Sequence, residues 1–255
     1  MPNAFALALR SRTDAGPHVQ VAAVRAGEVA ILLCDMWDRH WCSGASRRVD
    51  VMAPRMNAVI VAARAAGARI IHAPSETMAF YEGTPARQRA RTTPRCAPPP
   101  PLALEAPPLP IDDADGGCDS GESQSYRAWT RQHPAITITG EDIVSDDGQE
   151  IYSFLRDQGI ARLAIMGVHT NMCVLGRSFG IRQMTRWGVP CVLVRDLTDA
   201  LYNPARPPQV SHDRGTELVT EHIERYWCPS VVSGDLLPVG GMVTPDPHKE
   251  GEGRA

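Results

Sequence analysis

Four short apolar runs constrain this 255-residue chain more than any other feature: VAILLCD (29–35), ARIIHAPS (68–75), RLAIMGV (162–168) and VPCVLVRD (189–196). Each is continuous rather than alternating, the pattern of a parallel strand buried on both faces. Between the first two, Val49, Met52, Ala53, Met56, Val59, Ile60 and Ala63 recur at helical spacing, and Gly67 closes the segment. Further helices are predicted near 148–158, over 173–187 and over 213–226, and a further strand over AITIT (135–139). Strands alternating with helices of this length predict an α/β fold, a doubly wound parallel sheet with helices on both faces. Chemistry in such sheets sits at the carboxyl ends of the strands. Asp35, His72, the 167–173 segment, Asp196 and Asp199 all fall there.

Ahead of this pattern, Phe5–Arg10 and Val19–Arg25 alternate in the manner of a hairpin, so residues 1–28 are expected to form an N-terminal β extension. Residues 29–232 form the expected single domain. Its pattern is interrupted over 82–131, where TTPRCAPPPPLALEAPPLPIDDADGG is rich in proline and then in acid. A run of this kind is expected to be a solvated loop, either a lid or a disordered insertion. Asp112, Asp113 and Asp115 lack the later ligand positions of a calcium loop. The tail from 233 to 255 is expected to be disordered. Asp196 and Asp199 are expected to brace the last strand's turn, and His212 and His222 to lie on the surface of the last helix.

The net charge of −3 argues against nucleic acid or an anionic membrane as partner. No segment approaches the length of a bilayer span, and the N-terminus lacks a signal-peptide pattern. The seven cysteines (34, 42, 96, 118, 173, 191 and 228) show no zinc-ribbon spacing. A reducing, cytoplasmic setting and a small-molecule substrate are expected. Among the 26 basic residues the single lysine is Lys249; the rest are arginine.

RLAIMGVHTNMCV (162–174) carries the strongest chemical signal. A strand turning sharply into a helix, with Cys173 in its first turn, is a way to present a nucleophile. N–H groups at a helix start favour a thiolate and can hold a developing oxyanion.

GVHTNMCV resembles the G-V-x-T-x-x-C-V signature of the isochorismatase-like cysteine hydrolases, which include nicotinamidases and N-carbamoylsarcosine amidohydrolases. The resemblance extends over most of 29–200 through ILLCD, IIHAPS and VLVRDLTDA. It implies a three-layer doubly wound α/β fold, a cis peptide at Val168–His169 and a homo-oligomer, dimer or tetramer. It also implies Cys173 as nucleophile, Asp35 as acid/base, and the N–H groups of His169 and Cys173 as oxyanion hole.

One departure stands out. The family's catalytic lysine lies on the strand before the cysteine strand, where this chain has AITITGEDIVS, placing Thr139, Glu141 or Asp142 near that position. An acid there would raise the thiol pKa rather than lower it. Arg87 or Arg89 from the insertion, a metal ion, or a protonated histidine such as His169 are the expected sources of the missing charge. Asp35, Asp38, His40, His72 and Glu76 lie near the strand ends, and His40 and His72 are candidate ligands for a divalent metal such as zinc; the alternative is a set of hydrogen-bonded pocket residues. Trp37, His72, Tyr81 and Asn171 are the candidate substrate-binding residues. The expected activity is hydrolysis of a C–N bond in a small amide- or ureido-type molecule through a thioester, with no cofactor required. The alternatives are a metal-assisted hydrolase and a member of the fold kept for binding or assembly.

Overall fold

The computed structural model describes residues 3–123 and 125–238, and the expected disorder of the tail falls largely on residues 239–255, outside the described residues. Within the described part, Ser233–Leu236 form a turn of 3-10 helix with Leu236 buried.

Eight strands form one sheet: β1 (Ala4–Thr13), β2 (Gly16–Arg25), β3 (Val29–Cys34), β4 (Arg69–Ala73), β5 (Ile143–Val144), β6 (Arg162–Val168), β7 (Cys191–Asp199) and β8 (Ser230–Val231). Their order across the sheet is β2-β1-β8-β7-β6-β3-β4-β5. The six from β8 to β5 run parallel, and the β1–β2 hairpin adds two antiparallel strands at one edge. The hairpin continues the main sheet, for Phe5 and Leu7 are fully buried in the common core.

β3 shows why continuous apolar runs mean a two-sided sheet. Ile31 and Leu33 pack on one face; Ala30, Leu32 and Cys34 pack on the other. The first face is covered by α1 (Ser43–Ala66) through Met52, Ala53, Met56, Val59, Ile60 and Ala63. Each large side chain buried this way contributes roughly 1.5–3 kcal/mol. Gly67 ends α1 in a left-handed conformation (φ 111°), its N–H capping Ala63 and Arg64. The second face carries α4 (Gly148–Asp157), α6 (Ile181–Arg186) and α7 (His212–Tyr226), through Ile151, Leu155, Ile181, Met184, Val219 and Ile223. Two short helices follow β4, α2 (Met78–Tyr81) just ahead of the insertion and α3 (Pro85–Thr92) within it, the second capped by Thr84. Among the described residues no helix is long and apolar enough to cross a membrane.

Two expected elements differ. Residues 135–139 are not a strand. The Thr137 N–H is taken by Asn57 Oδ1 at 2.9 Å and that of Ile136 by the His133 carbonyl, so the ladder bonds to β4 fall to the fully buried Ile143 and Val144. The helix expected over 173–187 is broken. A four-residue turn, α5 (Cys173–Gly176), stops at Arg177, whose backbone is extended (φ −62°, ψ 160°), and α6 starts after Gly180. A Cβ on Gly180 would sit 2.9 Å from the Val174 carbonyl oxygen, so the chain folds tightly back there.

The insertion is also ordered where it was expected to be a solvated loop. Asp113 accepts from Asn171 at 2.8 Å and Asp115 from Asn203 at 2.8 Å, while Asp112 pairs with Arg206. Its acidic run is a row of fasteners rather than a charged coil.

Gly167 controls how closely β6 approaches β3. At φ 119°, a Cβ on this residue would lie 2.1 Å from the Cys34 carbonyl oxygen, which cannot retreat because it is backbone. Gly167→Ala is therefore expected to destabilise the fold by about 2–4 kcal/mol, lowering the denaturation midpoint. A variant that melts together with the wild type would show that this approach does not limit the fold.

Candidate active site

Asp35 follows β3 in a left-handed backbone conformation (φ 46°) and is fully buried. Its two carboxylate oxygens are held separately. Oδ1 accepts the Ser75 N–H at 2.8 Å, and Oδ2 accepts Nε–H of Arg177 at 3.0 Å. Arg177 also reaches Glu76 at 3.5 Å and lies 6.0 Å over the Trp37 ring. Cys173, at the start of α5, lies against both groups and near the backbone N–H of His169. The Val168–His169 peptide is cis.

The charge expected from Arg87, Arg89, a histidine or a metal is supplied instead by Arg177, four residues after the cysteine. Arg87 is engaged by Glu150, and Arg89 by the Asp142 carbonyl and Glu141. Burial lowers His169 to about 3 and His40 to about 4, so both rings are neutral at pH 7. Arg177 escaped the sequence reading because a continuous helix over 173–187 would have made it one more basic helical residue. The break after Gly176 turns it onto Asp35.

Burial of the sulfur, followed by the neighbouring Asp35 charge, raises the Cys173 pKa well above its ordinary value; Arg177 and the His169 N–H oppose that rise. The expected thiolate from a helix start is not what the geometry favours. α5 is a single turn, and the Met172 and Val174 N–H groups bond the His169 carbonyl. Burial also raises Asp35, against the lowering influence of Arg177, Cys173 and Ser75. The resting pair is a protonated thiol beside a buried carboxyl group whose raised pKa is opposed by the Arg177 guanidinium.

The remaining candidates divide in two groups. Trp37 and His40 lie with His169 around the site. Trp37 donates to the Ser75 carbonyl at 3.1 Å, and Trp129 of the insertion, absent from the sequence reading, stacks on it at 4.0 Å with the rings 7° apart. His40 stacks beside Trp129 at 5.8 Å and meets His169 edge-on at 4.9 Å. Neither ring nitrogen of the buried His169 has a hydrogen-bond partner among the described residues. Asp35, Trp37, His40 and His169 line a cavity of about 10 Å³, room for roughly one water.

The others are engaged elsewhere. His72 bonds Gln132 at 2.8 Å and Asp142 at 3.1 Å. Burial opposes its charge, but hydrogen bonds from His72 and Arg64 bring Asp142 down to about 2. Glu141 is an exposed partner of Arg89. Tyr81 accepts the Gln132 N–H at 2.8 Å and packs with Ala86 and Val144. The Asn171 amide is occupied by Asp113 and by both backbone groups of Leu201. His40 Nδ1 accepts the Cys42 N–H at 3.1 Å, so His40 and His72 have separate partners and do not gather as metal ligands. His212 is drawn inward, bonding Asp199 at 2.9 Å, while Arg48 takes the other Asp199 oxygen at 2.9 Å. His222 is buried rather than on the surface. Asp196 lies inside β7 rather than at its end, and accepts from Ser233 N–H and Oγ–H at 2.7 Å each, so it fastens the Ser233–Leu236 turn instead of its own strand's.

Neither a protein-family model nor a curated protein matches the sequence. Solved structures do match in shape. A cysteine hydrolase from Pseudomonas syringae pv. phaseolicola 1448A is similar over 84% of this chain and 92% of its own, with 15% identity and a TM-score of 0.53. An isochorismatase from Pseudomonas putida KT2440 is similar over the same shares, with 13% identity and a TM-score of 0.51. The chain thus has the isochorismatase-like α/β fold, and at such identities the likeness is one of fold.

Two outcomes follow from these charges. Arg177→Gln removes the cation that lowers both neighbouring pKa values, so alkylation of Cys173 by iodoacetamide at neutral pH, followed by peptide mass spectrometry, should slow by about tenfold or more; Arg177→Lys should recover part of the rate. Unchanged alkylation would remove Arg177 from the thiol's electrostatics. His169 has a folded pKa near 3 against an ordinary 6.5, so the unfolded chain binds the extra proton. Stability from this residue is complete above pH 6.5 and falls as pH drops from there towards 3, by up to about 1.4 kcal/mol per pH unit. Urea titrations across that window should show a shallower pH slope in His169→Asn.

Proposed function

We propose that this chain is a cysteine hydrolase that cleaves the C–N bond of a small amide- or ureido-type molecule through a thioester. The observation that carries the reading is the meeting of Cys173, Asp35 and Arg177 at the carboxyl ends of β6 and β3. A nucleophile, a proton carrier and a fixed positive charge are what acyl transfer to a thiol requires.

The steps follow from the resting protonation states. Asp35, acting as the carboxylate paired with Arg177, takes the Cys173 proton as the sulfur attacks the carbonyl carbon. The carbonyl electrons move to oxygen, where the N–H groups of His169 and Cys173 are the proposed donors. The tetrahedral intermediate collapses, the C–N bond breaks, and Asp35 returns the proton to the departing nitrogen. Water then attacks the thioester; Asp35 takes its proton and hands it to the leaving sulfur. Because the thiol pKa is raised, attack is coupled to proton transfer rather than waiting on a standing thiolate. The neutral histidines and stacked indoles suit an uncharged substrate. The steps need no metal. A cytoplasmic location and a homodimer or homotetramer complete the reading.

A panel of small primary amides and ureides tests it, with ammonia release and intact-protein mass spectrometry as readouts. Wild type should release ammonia and show a transient acyl adduct with at least one member; Cys173→Ala should do neither, and Asp35→Asn should lose at least about a hundredfold in rate. A Cys173→Ala protein that still turns over the same substrate would falsify the mechanism.

A further inference from the structure

Away from the Asp35–Arg177 pair, a second group of reactive side chains has no part in this chemistry. Cys42 is the N-cap of α1, and Cys118 and Glu122 come from the insertion segment DGGCDSGE. One ligand atom from each, two sulfurs and a carboxylate oxygen, lie within 4.8 Å of one another, and among the described residues they are the one such group of three or more His, Cys, Asp or Glu. Both cysteines are buried and unpaired by any disulfide.

We propose that Cys42, Cys118 and Glu122 bind a thiophilic divalent cation of the zinc class, and that this ion fastens the insertion to the start of α1. Two sulfurs and one carboxylate are a donor set for such an ion, since soft ligands select it over magnesium or calcium. The surroundings orient the ligands. Glu122 Oε1 is pinned by the Ser43 N–H at 3.2 Å, leaving Oε2, 3.2 Å from the Cys118 sulfur, to face the thiols. The Ser120 hydroxyl lies between the three, 3.3 Å from the Cys42 sulfur, 3.4 Å from that of Cys118 and 2.6 Å from Glu122 Oε2. It marks the middle of the ligand set, and vacating it by turning about χ1 would release the Gly44 N–H that it accepts at 2.9 Å. Cys42 sits at the amino end of a 24-residue helix, where negative charge is favoured. Asp119, 3.7 Å from the Cys42 sulfur, is engaged by Arg48 at 2.7 and 3.2 Å, so a solvent oxygen takes the fourth position. Loading exchanges two thiol protons, released to water, for one dication; no electrons move. The resulting site, with two thiolates and one carboxylate around a dication, carries one net negative charge next to the Arg48 guanidinium.

The loop is built for close approach to this helix end. A Cβ on Gly44 would meet Asp119 Oδ1 at 2.4 Å, and one on Gly117 would meet the Leu201 carbonyl oxygen at 2.2 Å. The same small cluster, Trp41, Cys42, Ala45, Cys118 and Leu201, packs against Met172 and Trp129. An ion here would hold the segment that carries Trp129 onto Trp37.

The test uses the full, tag-free chain, reduced, loaded with zinc chloride alone and dialysed. Elemental analysis should find one zinc per chain. The Cys42→Ser, Cys118→Ser double variant should bind none, and Glu122→Gln should bind about tenfold more weakly. Cobalt loading of the wild type should give a thiolate-to-metal charge-transfer band, a readout that does not depend on the variants folding. Zinc that dialyses away from the reduced wild type, zinc retained equally by the double variant, a cobalt spectrum without the thiolate band, or recovery of Cys42 and Cys118 as a disulfide in place of the metal would each overturn the proposal.

Discussion

The site depends on one buried ion pair. Asp35 stands at the carboxyl edge of the sheet with no exposure to water, where a lone carboxylate would cost several kcal/mol and would take up a proton instead. The Arg177 guanidinium pairs with one oxygen and opposes the rise in its pKa, and the Ser75 N–H holds the other oxygen. Removing either the break after Gly176 or the close approach at Gly167 would separate these groups. The backbone details of β6 and α5 are therefore part of the electrostatics.

Around this pair burial decides which groups carry charge. Two histidines that looked like cations are kept uncharged by burial, and the cysteine that looked like a thiolate is kept protonated by burial and by its acidic neighbour. Reactivity in such a place comes from moving a proton a short distance between fixed partners when a ligand arrives, rather than from a charge already present.

The insertion is the other organising element. Proline and acid over 94–115 suggested a solvated strand of chain, yet each aspartate has an assigned partner: Asp112 with Arg206, Asp113 with Asn171, Asp115 with Asn203 and Asp119 with Arg48. Their effect is to bring Trp129 onto Trp37 and Cys118 beside Cys42. These contacts join residues 58 to 94 positions apart, and no local pattern announces them.

Several features were legible because they rest on short-range rules. Continuous apolar runs mean strands covered on both faces, and helical spacing in 49–63 means a helix laid across them; both hold. Asp35 and Cys173 could each be placed at a strand's carboxyl end from the alternation of strands and helices, whereas the pairing of β3 with β6 that makes them neighbours is tertiary. The misread pieces are those where long-range contacts override local preference. AITIT has strand alternation, but Asn57 takes its N–H; 173–187 has helical spacing, but Gly176 and Gly180 allow a break that points Arg177 inward. The sequence by itself determined the sheet, its helical cover and the acid and cysteine at its edge, because hydrophobic periodicity is a local property. Only the tertiary structure decided which cation serves them, which charges survive burial, and what the insertion touches, because desolvation and ion pairing depend on neighbours that the fold, not the chain order, brings together.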